Sequence, residues 1–319
     1  MPYHSKWQDL PTEAINPDTL GIDRMPVADI IDLMVAEDHR VVAAVQKERD
    51  RIAHGVDLLV DTLKKGGRVF LVGAGTSGRL GIVEAAEIPT TFGTKPSLVR
   101  AVMAGGRDAV FRSREGVEDN FEEGARSVSR LGATKRDVVI GVSASGITQF
   151  VRGALTNARN RGARIIFVTC WPGTELQTFV DLIIAPAVGP EVIAGSTRLK
   201  AGTATKMVMN MLTTIAMVRM GKTYGNLMVD VQKGSEKLRD RARRIVAVVC
   251  GLPLDDADRL LHRAKGNVKA AIVMHKTGTS LPAALKRLKE ADGFVREAIG
   301  EELEPTLRAL LTKDPAGGG

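Results

Sequence analysis

The chain has 319 residues, 44% apolar and 26% charged, a balance that builds a large core and excludes a disordered or fibrous protein. Lys and Arg outnumber Asp and Glu by 45 to 37, for a formal net charge of +8; the excess is dispersed and aromatics make up only 4%, so a nucleic-acid partner is not expected. Cys170 and Cys250 are far apart and the five histidines are scattered, so neither a disulfide framework nor a metal site is expected, and no apolar run reaches the ~20 residues of a membrane span, leaving the cytoplasm as the expected location.

Residues 1–55 read as a polar arm, with prolines at 2, 11 and 17, followed by helices. From Met25 to Gly67 apolar residues recur at helical spacing (Ile30, Ile31, Met34, Val35, then Val41, Val42, Val45) until Gly66-Gly67 stops the last helix. Residues 56–230 then alternate strand and helix. Short β-branched runs "RVFLVGAG", "SLVRAVMAG", "RDVVIGVSASG", "ARIIFVTC" and "DLIIAPAVG" predict five strands of a parallel sheet covered by helices on both faces. The apolar segment 201–223 predicts one long helix, its methionines serving as core filler. Residues 235–300 change to short charged segments and predict a small, all-helical domain, with 301–319 as a tail ending in "KDPAGGG". The basic run "KLRDRARRIV" reads as a solvated helix face.

Three loops carry the candidate chemistry. "GAGTSG", Gly73 to Gly78, sits between a predicted strand and a helix. It satisfies a dinucleotide fingerprint, yet the next strand ends "VMAGG" without the acid that would hold a ribose. Thr76, Ser77 and Gly78 instead suit a phosphate, with hydroxyls added to the N–H groups of a helix N-terminus. A second loop brings Ser143, Ser145 and Gly146, followed by Thr148, and a third brings Ser196, Thr197, Arg198 and Lys200. Singly, each is as readily a turn or a helix cap; together in one α/β domain they point to a sugar-phosphate pocket at the C-terminal edge of the sheet.

Paired Ser/Thr-rich loops on such a sheet resemble the sugar isomerase (SIS) domain family, and the chain is similar over nearly its whole length to the N-acetylmuramic acid 6-phosphate etherases. The motifs that carry this are "GAGTSGRLGIVEAAEIPTTFG", "EGVED", "GSTRLKAGTATKMVMNML" and "GKTYGNLMVDV", with "TEAIN" and "AEDHRVVAAV" upstream. The resemblance implies a SIS-type five-stranded sheet, a phosphosugar substrate, no cofactor, a homodimer, and removal of a lactyl ether to give N-acetylglucosamine 6-phosphate and D-lactate in cell-wall sugar recycling. It places Glu87 as the acid at the ether oxygen and Glu118 as the second catalytic glutamate, the base. Spacing alone reads differently, since Glu84 and Glu87, like Glu115 and Glu118, are three apart and suit an ordinary helix face. The neighbours Ala85, Ala86, Ile88 and Pro89 suggest an apolar setting for Glu87. Where the family has Cys-Pro-Pro after the glutamate this chain has Ile88, Pro89, Thr90, and where it has Arg-Thr-Pro after the second loop this chain has Ile147, Thr148, Gln149, which leaves the substrate range open. The alternatives are a phosphosugar isomerase and a non-catalytic phosphosugar sensor comparable to the glucokinase regulatory protein.

Overall fold

The computed structural model describes residues 7, 10–231, 234, 236–305 and 308; Pro2 of the expected arm and the "KDPAGGG" end lie outside them. After 3-10 turns at Pro17–Thr19 and Ile22–Arg24, where an extended arm was expected, come α1 (Val27–Lys47) and α2 (Arg49–Lys64). The alternation follows as β1 (Val69–Gly73), α3 (Gly75–Phe92), β2 (Val99–Met103), α4 (Gly106–Phe111), α5 (Phe121–Leu131), β3 (Val138–Val142), α6 (Gln149–Asn160), β4 (Arg164–Val168), β5 (Leu182–Ile184) and α7 (Lys200–Arg219). The five expected strands all form, each parallel to its neighbours, in the order β2-β1-β3-β4-β5.

Every residue of β1 and β3 is buried, as continuous apolar runs must be when helices cover both faces. Phe70, Val72, Val139, Ile165 and Phe167 point into a cluster with Val128 of α5 and Phe150, Val151 and Leu155 of α6. Leu71 points the other way, against α3 at Gly81. Asp137 ties the N-terminal ends of β1 and β3 together. Its carboxylate, 2% exposed, accepts hydrogen bonds from the backbone and guanidinium of Arg68 and from the backbone N–H and hydroxyl of Thr134.

Of the apolar face expected on α1 the smaller part is buried, with Ile30 half-buried and Met34 exposed. Val41 and Val45 are in the core, whereas Val27, Ile31, Val35 and Val42 are exposed by 74%, 56%, 52% and 51%. The exposed four fall on one stripe, which nothing among the described residues covers.

Beyond α7 lie α8 (Glu236–Cys250), α9 (Leu254–Arg263), α10 (Val268–Thr277), α11 (Leu281–Glu290) and α12 (Val295–Ile299), one for each charged segment of the sequence. They share a second core centred on Val246, Ala271, Ile272 and Val273. Asp240 of the basic run pairs with Arg243 and Arg244 of its own helix. The chain divides into a unit of residues 1–86 and 96–216 and a unit of residues 87–95 and 217–319. Composition suggested boundaries near 56, 230 and 235. The division into two compact units falls inside α3 and α7, and gives Glu87 to Lys95 to the helical unit. Pro89 marks the break chemically, because it has no N–H to donate to the carbonyl of Ala85 one turn earlier. No helix among the described residues is long and apolar enough to cross a membrane.

Candidate functional site

In a parallel sheet ordered 2-1-3-4-5 the loops after β1 and β3 diverge to opposite sides, which opens a crevice at their C-terminal ends. Gly73 and Val142, the last residues of those strands, are register partners, so the first and second loops stand side by side there. The first is a sharp strand-to-helix turn made by two glycines. A Cβ on Gly73 would lie 2.7 Å from the nitrogen of Gly78, and one on Gly78 would lie 2.9 Å from the carbonyl oxygen of Gly73. This close approach sets Thr76 and Ser77, both half-buried, on the first turn of α3, whose first N–H groups have no intrahelical acceptor.

The second loop is braced from within. The Ser143 hydroxyl, on a residue 3% exposed, lies 2.7 Å from that of Thr148 and accepts from the backbone N–H of Gly146. Gly146 has φ +78°. Ser143 thus shapes the loop, and the half-buried Ser145 is the residue left to meet a ligand. Ile147 and Gln149 line a cavity of about 280 Å3 next to this loop, together with Arg152 and Trp171.

The third loop reaches the first at the start of α7, where a Cβ on Gly202 would lie 3.5 Å from the Thr76 methyl group. Its arrangement differs from the expectation in two ways. Lys200 is 1% exposed and its ammonium is paired with the equally buried carboxylate of Glu37 on α1, so it points into the protein and not toward a ligand. The N-terminus of α7 already holds an anion, because the buried Glu191 carboxylate accepts from the N–H groups of Lys200 and Ala201, each at 2.9 Å. Burial raises the Glu191 carboxyl above its ordinary range, and those two N–H groups partly offset the rise. Glu191 had no signal in the sequence, since it lies nine residues before the helix it caps. What the loop leaves for a ligand is the pair of half-buried hydroxyls of Ser196 and Thr197 and the exposed guanidinium of Arg198. Among the described residues, Thr76, Ser77, Ser145, Ser196 and Thr197 have side-chain hydroxyls with no hydrogen-bond partner. The "TEAIN" segment also meets this loop: Gly195 donates to the carbonyl of Thr12, and the Glu13 carboxylate lies 3.3 Å from where a Gly195 Cβ would be.

Glu118 sits on a 3-10 turn, Val117–Asp119, opened by Gly116 at φ +72°. Val117 anchors the turn, packing within 3.4 Å of a Cβ position on Gly105, just past β2, and β2 ends beside Gly73 of β1. Glu118 is exposed. Glu87 is exposed as well, while its neighbours Ile88 and Pro89 are buried. The apolar setting suggested by its sequence neighbours is therefore absent from the single chain, because successive helical residues point about 100° apart. Thr90 donates its hydroxyl to the carbonyl oxygen of Glu87 at 2.8 Å and lies 3.5 Å from its carboxylate. Glu84 is the buried carboxylate of α3, at 7% exposed, accepting from Asn210 and Thr213 of α7. Glu115 is exposed.

Residues 51–159 match the glucokinase regulatory protein N-terminal SIS domain, and residues 121–215 match the SIS domain, which makes the five-stranded fold one of SIS type. The chain is 50% identical over 297 residues to an N-acetylmuramic acid 6-phosphate etherase of Salinibacter ruber, a match covering 92% of this chain and 96% of that protein. It is 48% identical over 297 residues to an etherase of the same name from Rubrobacter xylanophilus, covering 93% and 98%. A third, from Caldanaerobacter subterraneus, is 46% identical over 292 residues, covering 92% and 95%.

Proposed function

The chain belongs to the N-acetylmuramic acid 6-phosphate etherase family, and we propose that it cleaves the D-lactyl ether of that phosphosugar with Glu87 as acid and Glu118 as base. The observation that carries the reading is the meeting of three hydroxyl-bearing loops at the β1/β3 crevice. Thr76, Ser77, Ser145, Ser196 and Thr197 offer hydroxyls to a phosphate, the start of α3 offers N–H groups, and Arg198 offers the cation that the buried Lys200 does not.

In the open-chain sugar the C1 aldehyde acidifies the proton on C2. Glu118 takes that proton, the C3–O bond breaks, and Glu87 protonates the departing ether oxygen, so D-lactate leaves. Water then adds at C3 of the unsaturated aldehyde and a proton returns to C2, giving N-acetylglucosamine 6-phosphate. One carboxyl group must be ionised and the other protonated at the outset. Both glutamates are exposed in the single chain, so substrate and a second copy of the chain supply the closed environment that this requires. The uncovered stripe Val27, Ile31, Val35 and Val42 on α1 supports a homodimer, since apolar faces of this kind mark association surfaces. A phosphosugar of cell-wall recycling fits a cytoplasmic enzyme.

The match of residues 51–159 to the regulatory-protein domain favours one second reading, a sensor that binds the phosphosugar without cleaving it. The test is to incubate chelator-treated protein with N-acetylmuramic acid 6-phosphate and assay D-lactate, beside Glu87→Gln and Glu118→Gln. Lactate at full rate from the unaltered chain, and at a residual rate at least a hundredfold lower from either folded variant, is the expected result. Saturable binding without lactate would replace the enzyme with the sensor.

A further inference from the structure

The motif "GKTYGNLMVDV" (221–231) takes no part in the phosphate loops. It lies in the helical unit, which also contains Glu87 to Lys95, and its Asp230 is the centre of a compact arrangement there. Gly93 follows the end of α3 at φ +64°, and a Cβ on it would lie 2.1 Å from the carbonyl oxygen of Asp230. No other residue permits so close an approach of two backbones. The same glycine donates its N–H to the carbonyl of Pro89 at 3.0 Å, so the last turn of α3 is closed against the Asp230 backbone. That turn includes Thr90, whose hydroxyl is bonded to the carbonyl oxygen of Glu87.

The Asp230 side chain is fixed in turn. Lys269 of α10, 6% exposed, places its ammonium 2.6 Å from the Asp230 carboxylate, and Lys222 places a second at 3.2 Å. Lys269 also lies 3.6 Å from the Cβ position of Gly293, whose backbone packs within 3.1 Å of the Cβ position of Gly221. Burial pulls the Lys269 ammonium below the usual lysine range, and Asp230 works against that shift. An ammonium is buried here at a cost, and among the described residues its one ion pair is with Asp230.

We propose that Asp230, held by Lys269 and Lys222, is a positioning residue for Glu87, fixing the turn of α3 that carries it. Pro89 removes one bond of the ladder that ties this turn to the rest of α3, so the contact of Gly93 with the Asp230 backbone has a share in placing the turn. The inference rests on the reading of Glu87 as the acid, and gives the small helical unit its part in the reaction.

The experiment measures lactate release by Asp230→Asn, Lys269→Met and Lys222→Met, each in the natural background and in Glu87→Gln, with circular dichroism to establish folding. The expected result is a fall in kcat of tenfold or more for Asp230→Asn and Lys269→Met at a KM within twofold, and a smaller fall for Lys222→Met. In the Glu87→Gln background the same changes add nothing to the loss. Lys222 is 28% exposed, so its variant folds even if the buried ones do not, and a lowered kcat that vanishes in the Glu87→Gln background supports the proposal by itself. Unchanged kcat in all three folded variants would overturn the clamp while leaving Glu87 as the acid. So would equal losses in both backgrounds. Full activity of Glu87→Gln alone would remove the acid assignment and the clamp with it.

Discussion

Lys200 is where sequence and structure suggest different chemistry, and its replacement by Met separates them. A ligand lysine, once removed, weakens phosphosugar binding and leaves the fold intact. The structure instead buries the Lys200 ammonium against Glu37, so its removal strands a carboxylate that is 1% exposed. That carboxylate keeps a bond from the Asn16 amide at 3.0 Å and an ion pair with Arg40 at 2.7 Å. The cost therefore falls at the low end for breaking a buried pair, about 3 kcal/mol. At roughly 2–4 °C per kcal/mol for a chain of this class, the melting temperature falls by roughly 6–12 °C. Glu37→Leu is the harsher change, at about 5 kcal/mol, because it leaves the ammonium with no other ion pair among the described residues. Glu37→Leu with Lys200→Met costs less than the sum of the single changes, because the double change leaves neither member of the pair stranded. Melting curves and the KM for lactate release, measured on the same samples, decide the matter. An unchanged melting temperature with a tenfold rise in KM, about 1.4 kcal/mol of binding, would refute the buried-pair account and return Lys200 to the ligand.

Three further outcomes are expected. In Gly78→Ala the new Cβ would meet the Gly73 carbonyl at 2.9 Å and the Met103 side chain at 2.7 Å, costing about 1–3 kcal/mol and displacing Thr76 and Ser77; kcat/KM for lactate release should fall at least tenfold, and full activity would mean the first loop is not the cradle. Asp137 should govern acid stability: burial works to raise its carboxyl, but the bonds from Arg68 and Thr134 outweigh it and hold it below the ordinary 3.8. Its contribution is therefore complete above that value and is lost as pH falls through the lowered one, so in Asp137→Asn the acid limb of stability against pH should flatten, and an unaltered limb would reject the assignment. Burial pushes the Cys170 thiol up to about 12 and the Cys250 thiol up to about 11, so a thiol reagent at pH 8 should label the native chain slowly and the denatured chain at both sites; rapid native labelling of Cys170 would contradict its placement.

The strands and their parallel arrangement were legible because each is a short, mostly apolar run bounded by turn residues, a local signal. The first loop was legible for the same reason: Gly73 and Gly78 are demanded by contacts five residues apart. What escaped is long-range. Lys200 reads as a ligand until Glu37, 163 positions earlier, is brought to it by α1. Glu191 carries no signal at all until α7 turns its first N–H groups toward it. Glu87 looked enclosed because Ala, Ile and Pro surround it in the sequence, whereas the helix sends Ile88 inward and Glu87 outward. The α1 periodicity was real, but part of its apolar face is satisfied by nothing among the described residues, and periodicity carries no information about which molecule covers a stripe.

The division of the chain has a consequence for its synthesis. The stretch Glu87 to Lys95 belongs with residues from Met217 onward, and a ribosome adding roughly 5–20 residues per second needs on the order of ten seconds to travel from one to the other. During that interval the five strands are all available to pair, while the end of α3 has emerged without the helices it will join. A nascent chain arrested at Ala216 would carry all five strands and a stretch from Glu87 to Lys95 still without the residues it groups with.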